Sequence, residues 1–147
     1  MEEEIICNRF EQVLGEWIAL HDEELNFKDN TRPQIKLCGL TLRIRANDAW
    51  SKLPLDLKEC LVAHEIGHRE MNHVSVVQDN PFYRLGFVLC GTVDPRELEA
   101  DRYAIKLIGR SEYVRRLLKY VDTQIQHLSD SGLREIQYRI KALEVSD

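Results

Sequence analysis

Residues 64–68 read His-Glu-Ile-Gly-His, a match to the HExxH pattern. Two residues four apart on a helix lie about 40° apart around the axis and about 6 Å along it. His64 and His68 therefore project from one face, and two imidazole nitrogens can meet one Zn²⁺ at ~2.0–2.1 Å. Glu65 stands next to the first ligand and too far round the helix to ligate easily. It is placed to act as general base toward a water on the metal.

A catalytic zinc site takes three protein ligands and keeps one position open. In the longer pattern HExxHxxGxxH, a Gly and a His would stand where this chain has Met71 and Val74, so that source of a third ligand fails. His73 falls one residue early and, on a continued helix, lies about 140° from His68. It reads as structural. The run Glu97-Leu98-Glu99-Ala100-Asp101 supplies carboxylates instead. Glu97 and Asp101 share a helix face, and Glu99 lies about 200° from Glu97 and is expected to face solvent. Glu97 is the expected third ligand. Asp101 is expected to accept the other ring N–H of a ligand histidine and so fix its tautomer. Ala100 and Ala104 are small enough to let the two helices approach closely.

The elements that must hold these residues follow from periodicity. Ile6, Phe10, Val13, Trp17 and Leu20 recur at steps of three and four, which predicts a helix from Glu3 to about Leu25. His21 to Arg32 reads as a connector ending at Pro33. Gln34 to Arg45 alternates apolar and polar residues around Cys38-Gly39-Leu40, which predicts a hairpin or two edge strands. Asn47 to Pro54 reads as a loop into the central helix, Leu55 to about Val76. Gln78 to Pro95 holds Pro81, Gly86, Gly91 and Pro95 and reads as a loop enclosing Phe87-Val88-Leu89. A helix is expected from Pro95 to Ile108, stopped by Gly109. Ser111 is expected to cap the next, Glu112 to Val121. The last is expected over Gly132 to Leu143. The expected fold class is α+β, mostly helical, with a small sheet of about three strands over the HExxH helix. The strand Leu42 to Arg45 would offer an edge to an extended peptide.

Composition bounds the rest. The 147 residues fit one domain, 1–147. Hydrophobic residues make up 44% and charged residues 31%, as in an ordinary globular protein, and no segment reads as disordered. The net charge of −5 argues against a nucleic-acid partner. Arg115, Arg116 and Lys119 form the densest basic spot and read as a solvated helix face. No run approaches the ~20 apolar residues of a membrane span, and the start MEEEII lacks the basic and apolar regions of a secretory signal. A soluble, cytoplasmic protein is expected. Cys7, Cys38, Cys60 and Cys90 are far apart and read as buried thiols in a reducing compartment.

HEIGH followed by a helix with Glu and Asp four apart looks like a gluzincin. ELEADRYA, residues 97–104, resembles the ExxAD element of the HtpX-like and CAAX-prenyl-protease metallopeptidases. RIKAL, Arg139 to Leu143, resembles their closing RIxxL. The ImmA/IrrE metallopeptidases share HExxH followed by ExxAxxFA, with Tyr103 here in place of Phe. The resemblance covers roughly residues 42–108 well and the tail weakly. It implies a zincin-like fold, a soluble minimal catalytic domain (a minigluzincin), bound zinc, and a peptide or protein as substrate. In the ImmA/IrrE case the substrate would be one specific partner. The HtpX-like relatives carry a His-Pro shortly before the RI motif, thought to stabilise the oxyanion. Here His127 lies further upstream and is followed by Leu128.

The expected reaction is metal-assisted amide hydrolysis, with Glu65 passing the water proton to the leaving amine. Tyr103, His127, Tyr138 and Arg139 are candidate donors to the oxyanion. Two other readings compete. One is a regulatory protein that keeps the metal without turnover, against which the intact Glu65 stands. The other is a latent form in which a terminal segment covers the cleft, with Cys7 as a thiolate toward the metal.

Overall fold

A computed structural model describes residues 5, 19–22, 34–38, 41–45, 52–71 and 81–145. Among the described residues, five helices follow one another from Leu55 onward: α1 (Leu55–Glu70), α2 (Pro81–Leu89), α3 (Pro95–Ile108), α4 (Arg110–Gln124) and α5 (Asp130–Val145). A short 3-10 turn, Ile125–His127, joins the last two.

The expected α+β class is thereby corrected. Among the described residues from 52 onward, the body is a helical, bundle-like domain with no strand in it. Among the described residues, strand geometry is confined to the backbone of three short upstream segments, β1 (Ala19–Asp22), β2 (Gln34–Cys38) and β3 (Thr41–Arg45). Their order is β1-β3-β2. β2 and β3 run antiparallel with Cys38 opposite Thr41, and β1 lies parallel to β3. Alternation over a dozen residues reports only on those residues. The class of the body is decided by what fills its core, and there stripes of four helices, α1, α3, α4 and α5, meet one another.

Two further expectations change with the strands. β3 is paired on both sides from Thr41 to Ile44, so most of the expected Leu42 to Arg45 edge is already occupied. Ala19–Asp22 lies in β1 rather than in the helix expected up to Leu25, because pairing with a distant strand outweighs local periodicity there. Most of that expected helix lies outside the described residues.

The core joins Leu57, Cys60, Val62, Ala63 and Ile66 of α1 to Ala104, Tyr113, Leu117, Ile136, Ile140 and Leu143. α1 is the central element, buried on nearly every side. It ends at Glu70 rather than near Val76, and His73 lies outside the described residues. On α3, Glu97, Ala100, Asp101 and Ala104 form one buried stripe at steps of three, one and three. α3 begins where the Asp94 carboxylate caps the Arg96 amide at 3.0 Å, with Pro95 in the first turn. It ends at Gly109, whose φ of 101° suits a residue without a Cβ.

The segment read as a loop over Gln78 to Pro95 contains α2. Pro81 opens this helix, as proline can in a first turn, and Phe87-Val88-Leu89 closes it. α4 starts at Arg110, so Ser111 lies inside the first turn and Gly109 holds the capping position without a side-chain bond. Arg115 and Lys119 are paired with Asp56 and Arg116 with Glu112, so this basic face is tied to acidic neighbours. Cys60 is buried as expected, whereas Cys90 is exposed. Among the described residues, no helix is long and apolar enough to cross a membrane.

Candidate metal centre

The close approach of α1 and α3 begins at Gly67, the fourth residue of HEIGH. A Cβ built there would lie 2.5 Å from the Ala100 carbonyl oxygen and 2.8 Å from the Ala100 Cα. Only glycine fits, and Ala100 on the facing helix is itself fully buried. The backbones touch at this point, so the side chains one residue and one turn away are driven together. These are His64 and His68 on α1 and Glu97 and Asp101 on α3.

His64 Nε2 and His68 Nε2 lie 3.0 Å apart. Glu97 faces both, with Oε1 at 3.5 Å from His64 Nε2 and Oε2 at 2.7 Å from His68 Nε2. All three side chains are buried, Glu97 with only 4% exposure. Donors bound at ~2.0–2.2 Å to a tetrahedral ion stand about 3.3–3.6 Å apart. The observed spacings approach that set. The shortest, His68 Nε2 to Glu97 Oε2 at 2.7 Å, would have to open by about 0.6–0.9 Å to admit a cation. Glu65 is half-buried, and its carboxylate lies within 4.8 Å of the histidine ligand atoms. His64, Glu65 and His68 thus form a cluster able to hold a metal ion, and the carboxylate of Glu97 points into it. Glu97 is buried where Glu99 is partly exposed.

The other ring nitrogen of His64 is engaged from behind. Its Nδ1–H donates to Asp101 Oδ1 at 2.8 Å, the proton being assigned from the carboxylate's need for a donor. This leaves the Nε2 lone pair toward Glu97 and His68, which is the tautomer a metal ligand needs. Asp101, fully buried, is held by Arg139 of α5, which donates through Nε to Oδ2 at 2.8 Å and through Nη2 to Oδ1 at 2.7 Å. The Tyr113 hydroxyl donates to the same Oδ1 at 2.6 Å.

The charges respond accordingly. Burial opposes ionisation of Asp101, but the Arg139 guanidinium and His64 hold its carboxyl well below the usual range. For His64, burial and Arg139 disfavour a second proton, while Asp101 and Glu97 outweigh them and raise its pKa to about 9. That proton occupies Nε2, where a metal would stand. Burial pushes the Cys60 thiol up to about 12, which leaves it an inert core residue.

The expected oxyanion donors fall in different places. Arg139 sits on Asp101, on the Nδ1 side of His64 and away from the converging nitrogens. Tyr103 is half-buried at the edge of the core with Lys106 over its ring at 5.9 Å. Tyr138 is half-buried and His127 is exposed on the 3-10 turn. The residue that sequence reasoning missed is Tyr113. Its spacing to Leu117 reads as an apolar helix face, and the sequence signal available was only that a buried phenol needs a hydrogen-bond partner.

Comparison with protein-family models, curated proteins and solved structures finds no match.

Proposed function

We propose that this chain is a zinc-dependent metallopeptidase of the gluzincin type, with His64, His68 and Glu97 as ligands and Glu65 as general base. The observation that carries the reading is the convergence of two Nε2 atoms and a buried carboxylate on one point. Two imidazoles and one carboxylate form a borderline donor set that suits zinc. Bound there, zinc would supply Lewis acidity toward a water and a carbonyl oxygen.

The chain's own residues do the rest. Asp101 holds His64 with Nε2 forward, and Gly67 lets α3 bring Glu97 into reach. Glu65 follows His64 in α1 and is rotated by about 100° from it. It is half-buried, with its carboxylate within 4.8 Å of the histidine ligand atoms. It accepts the water proton and delivers it to the leaving nitrogen. A site built only to hold metal has no use for this base, which favours turnover over a purely regulatory zinc protein.

The test is digestion of a broad peptide library by the zinc-loaded protein, with Glu65→Gln as control. The variant keeps the shape of the side chain and removes its basicity. Zinc content should stay at the parent level, while cleavage falls by ~10²–10⁴-fold. Equal cleavage by the two proteins refutes the mechanism. Zinc retention without cleavage by either, together with binding of a protein partner, favours the regulatory reading.

A further inference from the structure

We infer that Tyr113 is a positioning residue for the metal centre, acting through Asp101 on His64. This rests on the metal-binding part of the reading above and adds a residue from a third helix.

Tyr113 stands on α4, is fully buried, and donates its hydroxyl to Asp101 Oδ1 at 2.6 Å. That oxygen also accepts His64 Nδ1–H at 2.8 Å and Arg139 Nη2–H at 2.7 Å. A phenylalanine would fill the same space and bring no hydroxyl to satisfy. The hydroxyl therefore has a purpose at the carboxylate rather than in the packing. Arg139 grips both oxygens from α5 and fixes the carboxylate edge-on. With that fork alone the carboxylate can still rock about the guanidinium. A third donor arriving from α4 removes this freedom and keeps Oδ1 opposite His64 Nδ1. Asp101 has no exposed surface, so water cannot substitute for the hydroxyl. Without it, Oδ1 is drawn toward Arg139, the bond to His64 loosens, and Nε2 leaves the point where the ligands converge.

The experiment compares the full-length parent with Tyr113→Phe and Leu117→Ala. Leu117 is a buried residue one turn along α4 that belongs to the apolar core. Three quantities are read. Zinc affinity is measured by competition with a chromophoric chelator, alongside the visible spectrum of the cobalt-loaded protein. In zinc-free protein, the downfield proton signal of His64 Nδ1–H and its exchange with water are followed by NMR.

Tyr113→Phe should bind zinc about tenfold more weakly, the low end of the ~10–100-fold typical when a partner of a ligating histidine is lost. Its cobalt bands should shift, and the Nδ1–H signal should move and exchange faster. Leu117→Ala should lower the thermal midpoint and leave zinc affinity and the Nδ1–H signal in place. The inference is overturned if Tyr113→Phe binds zinc within twofold of the parent with an unmoved Nδ1–H signal. Equal loss of affinity in Leu117→Ala overturns it too, since packing would then be the cause. So does failure of Tyr113→Phe to fold, since the hydroxyl would then serve the fold. If the parent itself takes no zinc, the metal reading fails, and the zinc-free NMR comparison alone decides the role of Tyr113.

Discussion

Both ends of α1 carry charged clusters that α4 helps to build, and the two differ in kind. At the first turn, Asp56 accepts from Lys119 Nζ at 3.0 and 3.2 Å, and Glu112 accepts from Arg116 Nε at 2.9 Å. Apart from the buried Arg116, these groups meet water: the Lys119 side chain is 41% and that of Arg115 54% exposed. Every charge there faces an opposite charge, and the cluster is complete. At the other end, Asp101 has no exposure and gathers donors from three helices on the Nδ1 side of His64. On the Nε2 side, four atoms with lone pairs face one another across 2.7–3.5 Å. A cation or a proton is needed between them. An ion-pair cluster becomes a candidate site when its groups converge on a point that they do not themselves fill.

That contrast can be broken by substitution, and the largest effect falls on Glu97. Glu97→Ala removes a ligand and should weaken zinc binding more than the ~10–100-fold expected for an outer partner. Glu99→Ala should change it little, and equal losses would assign the wrong carboxylate. Next comes pH. His64 has a raised pKa of about 9 in the metal-free protein, so zinc must displace its proton. Zinc affinity measured at fixed ionic strength should rise by about tenfold per pH unit from pH 7 toward 9. The metal-free protein runs the other way. A raised histidine pKa contributes stability that is fully present below ~6.5 and lost as pH rises through about 9. An affinity independent of pH would mean that the proton and the metal do not share Nε2.

Asp101→Asn should lower stability by about 3–5 kcal/mol, because it leaves the Arg139 guanidinium buried without its counter-charge. Asp56→Asn, in the exposed cluster, should cost about 0.2–1 kcal/mol. Denaturant titration of the pair tests whether burial separates the two regions, and similar losses would erase the distinction. Gly67→Ala should cost about 1–3 kcal/mol through its clash with Ala100. Gly86→Ala meets no atom within 4 Å and should stabilise α2 by up to about 1 kcal/mol.

Helical spacing carried much of this site. His64, His68, Glu97 and Asp101 are placed by steps of four on two helices, and a helix makes neighbours of such residues whatever surrounds it. The boundaries of α3 were legible for the same local reason, since Pro95 and Gly109 act within one turn. What the sequence hid is non-local. The hydroxyl of Tyr113 reaches Asp101 across a contact between helices, and no periodicity announces a polar tip on an apolar face. Arg139 was legible as part of a motif, but its place against Asp101 depends on how α5 docks. α2 was obscured by Pro81, Gly86 and Gly91, residues that usually punctuate loops but here open, tolerate and follow a helix. The alternation over residues 34–45 belongs to β2 and β3 alone and carries no information on the helical core, so it does not give the class.

The central claim is that two imidazoles and Glu97 hold a divalent metal at the C-terminal half of α1. X-ray absorption at the zinc edge of the zinc-loaded protein tests this most directly. The account predicts about one zinc per chain with nitrogen and oxygen neighbours at ~2.0–2.2 Å, two of them imidazoles, and no sulfur. A sulfur neighbour at ~2.3 Å, or no zinc retained after loading and gel filtration, would contradict it.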